Sequence, residues 1–418
     1  MKLIVFEYLG SFVEKQKGKK LLSVFTEILL RILSLFIFPF VFGLLALCAV
    51  IRPVKFGFLF HERLGHLALN TDLYLRRRYL GVINKNEIHI FFVYVPANKQ
   101  LVRMFSREMT LINSEFMSKL FSPIGLFRTR FHIPLPFIGN EYDEFYSAPP
   151  QISFTDKENQ AGRRFMESLG IADDQWYACF FARDSQYYRI FSPNTDATFS
   201  DHRNADIDTY TLAAQAVLSA GGWVIRMGSC VERPFNFKHP RVIDYASNYR
   251  NDFADIYITA NARFYVGTTS GASDIAVLFD IPFVGVNWVP VGYSPFGKDS
   301  IYIPKRTLTC ETAEEVPISE QLNEFIGNQI SVSINPSEVL SRFGWCFLDN
   351  TAEEIRDIVD EMLRKLAGEN VDDSEIKFLT TWYAELMPME NIYRKTPSKI
   401  GTSFLKRLHK ISTAYKYD

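Results

Sequence analysis

Unbroken apolar runs alternate with helical stretches along most of this chain. "VKFGFLF" (Val54 to Phe60), "EIHIFFVYV" (Glu87 to Val95), "WYACFFARD" (Trp176 to Asp184), "WVIRMG", "FYVG" and "FVGVN" lack the polar/apolar alternation of a half-wet sheet. They predict parallel strands buried on both faces. Helices are predicted from near His66, over Met104 to Leu120, over Asp208 to Ala220, over "NDFADIYITA" and over Ala272 to Phe279, with a short strand near "RVIDY". Two further helices carry start signals: Thr155 with Glu158, and Thr351 with Glu354, each at capping-box spacing. Gly170 is a natural helix stop. Phe121 to Pro150, rich in Pro, Phe and Gly, reads as loops. The pattern predicts an α/β fold with two Rossmann-like domains, 53–170 and 171–348, facing a cleft, then C-terminal helices and a tail over 349–418.

The first 52 residues break this pattern. Ile32 to Ile51 is uncharged and apolar, about the 20 residues needed to cross hydrocarbon as a helix. It is too long for a cleaved signal, and no clean small-residue cleavage site follows. Lys15, Lys17, Lys19 and Lys20 precede it and favour a cytosolic amino end. A full crossing would put the α/β part outside, although its unpaired cysteines suit a reducing cytosol. Pro39 and Gly43 could bend the stretch. The favoured expectation is therefore a monotopic or re-entrant hairpin on the cytoplasmic face of the inner membrane. A single span and a buried helix pair are the alternatives. The tail places Phe404, Leu405, Leu408 and Ile411 among Lys406, Arg407, Lys410 and Lys416. That suits either a basic helix on anionic lipid or a plain terminal helix.

Composition narrows the chemistry. A 418-residue chain, 47% hydrophobic, can bury a large core. Its net charge of -1 argues against nucleic acid as partner. Five scattered cysteines with no CxxC pair argue against a disulfide framework or a zinc site. No P-loop, no GxGxxG opening a helix after the first strand, no GxSxG elbow and no HExxH occurs, which disfavours phosphoryl transfer by a P-loop, dinucleotide binding, α/β-hydrolase and HExxH-type metal chemistry. Asp173-Asp174 and Asp372-Asp373 are adjacent, as in solvated turns.

One anion site remains legible. A strand ending at Gly267 runs through Thr268, Thr269, Ser270 and Gly271 into a helix. Small residues, hydroxyls and a helix start suit a phosphate, although an ordinary N-cap has the same look. Arg183 and Arg226 end two further strands on the same side of a parallel sheet, where ligands bind. Their forked guanidinium groups match phosphate oxygens. The competing reading pairs each with a neighbouring carboxylate, for instance Arg183 with Asp184 or Asp206. Together they point to a diphosphate held without metal or other cofactor.

"VIRMG", "FYVGTTSGASDIAVLFDIPFVGVN", "DNTAEEIRDIVDEM" and "LGHLALNTDLYLRR" resemble the bacterial glycosyltransferases encoded with surface-polysaccharide genes of O-antigen or capsule type; the resemblance spans most of Lys55 to Leu366. More distantly, "FFARDSQYYR" is similar to fucosyltransferase-like GT-B enzymes. Asp184 stands where that pattern favours a second arginine, so GDP-fucose is not implied. The resemblance implies a GT-B enzyme with the nucleoside-diphosphate sugar in the second domain and a glycan or lipid-linked acceptor in the first. An inverting transfer needs a base near the acceptor. His66, beside Gly65 at the end of the first strand, is the candidate; Glu62 is its rival and His61 a weaker one, and a helix cap is the bland alternative. His202, Arg203 and Asn204 are candidate donor or acceptor contacts, or a surface cap. Asp274 would orient the hydroxyl loop, bind a ribose or merely face the helix dipole. A nucleotide-sugar epimerase or hydrolase, and a non-catalytic membrane scaffold, are the competing functions.

Overall fold

The computed structural model describes residues 21–137, 139–191, 198–326, 336–369, 374–388, 391, 394 and 396–414. The Lys15 to Lys20 cluster, Lys416 and Asp372-Asp373 lie outside them. The chain divides after Pro136 into two units.

The first unit begins with α1 (Leu21–Ile51). It continues through β1 (Val54–Phe58), α2 (Leu64–Tyr79), β2 (Ile88–Val93), α3 (Lys99–Glu108), β3 (Thr110–Asn113), α4 (Glu115–Leu126) and β4 (His132–Ile133). The strands form one parallel sheet in the order β3-β2-β1-β4. Phe56 and Phe92 stack at 5.8 Å in its core. Gly57 is required there: a Cβ on it would lie 2.3 Å from Phe91 Cε1. The expected helix over Met104 to Leu120 is two helices with an edge strand between them, because Asn98 and Ser114 each cap a new helix start.

α1 runs unbroken through Pro39 and Gly43, so the expected hairpin does not form. Proline removes one backbone bond, but the apolar packing of one face holds the helix together. Phe38, Val41, Phe42, Leu45, Ala46 and Ala49 pack on α4 and the sheet core around Phe56, Phe92, Ile124 and Phe131. Nor is α1 a buried helix. Leu29, Leu33, Phe36, Phe40, Leu44, Leu47 and Ile51, spaced four and three apart, form an exposed stripe. Leu29–Ile51 is long and apolar enough to cross a membrane by length and composition.

The second unit opens with α5 (Tyr142–Ser147) and α6 (Asp156–Ser168). Then come β5 (Tyr177–Phe181), α7 (Gln186–Phe191), two 3-10 turns (Thr198–Arg203 and Ile207–Tyr210), α8 (Thr211–Ser219), β6 (Trp223–Arg226) and β7 (Val242–Asp244). Next follow α9 (Tyr245–Asn248), α10 (Asp252–Ala260), β8 (Phe264–Gly267), α11 (Asp274–Leu278), β9 (Phe283–Trp288), β10 (Ile301–Pro304) and β11 (Arg306–Thr309). The chain closes with α12 (Ile318–Phe325), α13 (Pro336–Phe343), β12 (Trp345–Leu348), α14 (Ala352–Leu366), α15 (Ser374–Glu385), β13 (Lys399–Ile400) and α16 (Thr402–Ala414). Seven parallel strands form the sheet β13-β10-β9-β8-β5-β6-β7, and β11 pairs antiparallel with β12.

The expected domain limits shift accordingly. Residues 137–170 belong to the second unit. Tyr142 donates to the Ser294 carbonyl at 2.6 Å, and Gly162 lets α6 approach the Tyr257 ring, where a Cβ would sit 2.1 Å from it. The segment after 348 belongs there too, since β13 adds to the sheet beside β10. α16 is no free basic helix. Phe404, Leu405 and Leu408 are buried, Arg407 pairs with Glu315 at 2.7 Å and Lys406 with Glu375 at 2.6 Å. Both expected capping boxes form, at Thr155 and Thr351.

Candidate functional site

The second sheet reverses its strand order between β5 and β8: β6 and β7 continue to one side of this point, β9 and β10 to the other. In an open parallel sheet, ligands bind in the crevice outside the strands' carboxyl ends at such a switch point. Arg183 follows β5 and Thr268 follows β8. They meet there, with the Arg183 N–H donating to Thr268 Oγ1 at 3.2 Å.

A cavity of about 550 Å³ opens beside them, at the carboxyl ends of β5 and β6. Arg183, Arg189, Asn204, Arg226, Arg233 and Asp349 are among its walls. Its size suits a nucleotide-sized ligand. Arg183 is buried and its guanidinium donates to neutral partners, Asn204 Oδ1 and, at 2.8 Å, Ser200 Oγ. The expected pairing with Asp184 is not made. Asp184 instead caps local backbone, accepting from Gln186 N at 3.0 Å and Glu232 N at 2.9 Å. Lys305, buried just past β10, ties the wall together: its ammonium donates to the Asn204 carbonyl at 2.6 Å and pairs with Asp349 at 2.7 Å.

Arg226 departs from its expected part. It is 1% exposed, and its Nη1 donates to the Arg233 carbonyl at 3.1 Å and lies 3.4 Å from Asp244 Oδ1. Asp244 is its register partner on β7, so this is a cross-strand ion pair. Arg226 borders the cavity with much of its charge already answered. The exposed cations at the cavity are Arg189, paired with Glu232 at 2.8 Å, and Arg233, paired with Asp206 and within 3.9 Å of Asp208. The sequence reading passed over both, as it did Lys305 and Ser200. Arg189 stood in the quoted "FFARDSQYYR", but nothing local says that a one-and-a-half-turn helix carries it back to the mouth.

The hydroxyl loop also differs from expectation. Thr268 is used by Arg183. Thr269 Oγ1 donates to the Val289 carbonyl at 3.1 Å and accepts from its N–H at 3.2 Å. Ser270 Oγ accepts from Ser273 N at 3.3 Å. α11 starts at Asp274 and has five residues, so it offers little of the dipole expected of a helix from Ala272. The loop's hydroxyls are spent on its own shape, which leaves its backbone, with Gly271 at the bend, as what it can present to an anion.

The three candidates on the 3-10 turn diverge. Asn204 joins Arg183 and donates to Ser185 Oγ at 2.7 Å. His202 Nδ1 lies 3.1 Å from Ser337 Oγ, on a side that does not line the cavity. Arg203 acts on Asp274. Burial pushes the Asp274 carboxyl up to about 7, and the Arg203 charge opposes that rise.

In the first unit, Gly65 and His66 lie in the first turn of α2, after the carboxyl end of β1. His66 is exposed, with Nδ1 3.3 Å from Asn70 Oδ1. Asn70 is buried and donates to the Leu135 carbonyl at 2.8 Å, so His66 has a fixed orienting partner. Glu62 is exposed just before the helix, whereas His61 is buried against Tyr94 at 4.3 Å between ring centres. Among the described residues no cluster of three His, Cys, Asp or Glu could hold a metal ion.

No protein-family model and no curated protein matches this sequence. Solved structures do resemble the chain. E. coli ADP-heptose LPS heptosyltransferase II is 12% identical, over 69% of this chain and 98% of that one, with a TM-score of 0.40. A glycosyl transferase family 9 protein of Veillonella parvula is 13% identical, over 72% and 97%, with a TM-score of 0.41. The iron-containing dodecameric heptosyltransferase TibC, solved with ADP-D-β-D-heptose, is 12% identical, over 75% and 77%, at 0.38. These similar structures are glycosyltransferases. With each TM-score below 0.5, the likeness carries no argument about this chain's chemistry.

Proposed function

We propose that the protein is a GT-B glycosyltransferase that moves a sugar from a nucleoside diphosphate to a glycan acceptor of surface polysaccharide, lipid-linked and held by the first unit. The observation that carries this reading is the cavity at the carboxyl ends of β5 and β6, beside the β5/β8 switch point, where Arg183, Arg189, Arg226 and Arg233 are interleaved with Asp184, Asp201, Asp206, Glu232 and Asp349. The donor's diphosphate lies against Arg183, with Arg189 and Arg233 at the mouth. Arg226 backs the site from its ion pair with Asp244. The Thr268–Gly271 loop fixes the end of β5 and lends backbone N–H groups. Arginines meet the leaving diphosphate charge, so the transfer needs no metal. His66, oriented by Asn70, takes the acceptor proton, with Glu62 as its rival. Asp274 and Asn204 contact the donor. The exposed stripe of α1 seats the protein monotopically on the cytoplasmic face of the inner membrane.

Thermal unfolding with UDP-, GDP-, CMP-, dTDP- and ADP-linked sugars tests the donor half. A true donor raises Tm by mass action, and Arg183→Ala abolishes that rise. No rise with any of them, or an undiminished rise in Arg183→Ala, refutes the site.

A further inference from the structure

The carboxylates of the donor cavity are not alike. Asp184 accepts through both oxygens from backbone N–H groups, at 3.0 and 2.9 Å. Asp201 accepts from Ser185 and Asn204 on its own turn. Asp206 and Glu232 answer the exposed side chains of Arg233 and Arg189. Asp349 is fixed from behind by a buried group. It follows β12, and Lys305 Nζ reaches its Oδ1 at 2.7 Å. The Lys305 side chain is 4% exposed, whereas that of Asp349 is 36% exposed and lines the cavity.

The backbone under this pair is equally fixed. Asn350, 1% exposed, exchanges two hydrogen bonds with Asn287 in β9: each backbone N–H donates to the other's Oδ1 at 2.6 Å. Asn350 Nδ2 donates to the Pro304 carbonyl at 2.9 Å, and Lys305 N donates to the Trp288 carbonyl at 3.1 Å. Ammonium and carboxylate thus rise from one buried junction of β9, β10 and β12. Among the described residues, Asp349 Oδ2 makes no hydrogen bond.

A carboxylate set in this way repels phosphate, so it serves another part of the ligand. When ionised it only accepts hydrogen bonds, and its unused lone pairs call for donors. Asn204 gives the spacing. Its Oδ1 accepts from Arg183 Nη1 and its carbonyl accepts from Lys305 Nζ at 2.6 Å, so Arg183 and Asp349 stand on two sides of one residue. The units joined directly to a donor's diphosphate are the ribose and the transferred sugar, and the base lies one unit further out. Both near units carry neighbouring hydroxyls.

We propose that Asp349, oriented by Lys305, accepts from a vicinal diol adjoining the donor diphosphate and so selects ligands that carry one. This rests on the donor reading above.

Calorimetry on the full chain and on Asp349→Asn tests it, with ADP, GDP and UDP, their 2′-deoxy forms, and the same three diphosphates joined to glucose. Removing a negative charge beside the phosphates should by itself tighten every ligand. Loss of a diol contact has the opposite sign and is selective. Where the diol is the ribose, the unaltered chain should prefer the ribo over the deoxy form by about tenfold, and Asp349→Asn should erase that preference. Where it is the sugar's, the affinity that glucose adds should fall by about tenfold instead. If Asp349→Asn does not fold, Asp349→Glu keeps the charge but moves the free oxygen by one methylene, and should lose the same preference severalfold. Affinity ratios among these ligands that stay unchanged in the variants overturn the proposal and leave the donor reading standing. If the unaltered chain binds none of the ligands, both fall.

Discussion

Arg183 and Arg226 leave neighbouring strands toward the same cavity, yet one is held by neutral groups and the other by a carboxylate. That difference predicts different mutants. Arg226→Ala strips the partner from a largely buried Asp244, which should cost about 3 kcal/mol, read by urea unfolding. Lost transfer in that variant would therefore not report on the donor. Arg189 is 60% exposed at its side chain, so Arg189→Ala should leave stability within about 0.5 kcal/mol. It should nevertheless weaken the donor by about tenfold, measured as Kd, if its guanidinium meets phosphate. Asp274 gives a pH signature. Its usual value is 3.8 and burial lifts it to about 7 in the fold. The unfolded chain therefore loses this proton first. The group's contribution to stability is complete below about pH 4 and is lost as pH rises to about 7. Asp274→Asn should remove that part of the decline, seen by comparing urea midpoints at about pH 4 and pH 7.5. Asp255, also lifted to about 6 by burial against the pull of Arg250, keeps a smaller slope of the same sign in both proteins.

At the scale of elements, what could be read from the sequence was what neighbours in the chain decide. The capping box at Thr351 is closed by Glu354, three residues on, with Thr351 Oγ1 accepting at 3.2 Å. Thr351→Ala should cost about 1 kcal/mol in urea unfolding, because α14 loses that acceptor. The buried strands β5, β6, β8 and β9 were equally plain, since strands covered on both faces need unbroken apolar runs. β3 was not, because an edge strand of four residues between two capped helices leaves only Leu111 and Ile112 as signal. The amphipathic pattern of α16 suits lipid and protein alike; only packing against the second unit decides for Phe404 and Leu408. The site shows the same limit. Arg183 and Thr268 could be placed at strand ends, and they do meet. That Asp244 would claim Arg226 follows from the pairing of β6 with β7, and that Arg189 returns to the cavity follows from the path of α7. Neither is written in residue type or spacing.

At the scale of the whole molecule, α1 divides its apolar surface between two uses. Phe38, Phe42 and Leu45 complete the core of the first unit, while Phe36, Phe40 and Leu44 remain exposed. A helix whose one side is fixed to the sheet core presents only the other side to a second apolar medium. The proposed monotopic seat on a membrane makes those two faces separable by mutation. Phe36→Ser, Phe40→Ser and Leu44→Ser together should leave thermal unfolding nearly unchanged, because these side chains touch little of the fold. Each side chain withdrawn from hydrocarbon forfeits about 1.5–3 kcal/mol, so the triple variant should move from the vesicle-bound to the free fraction in flotation. Phe42→Ser should do the reverse. It opens the contact with Phe131, whose ring centre is 5.1 Å away, and should lower Tm while the exposed stripe still carries the protein to vesicles. Equal vesicle recovery of the triple variant and the unaltered chain would remove the stripe from any role in membrane seating.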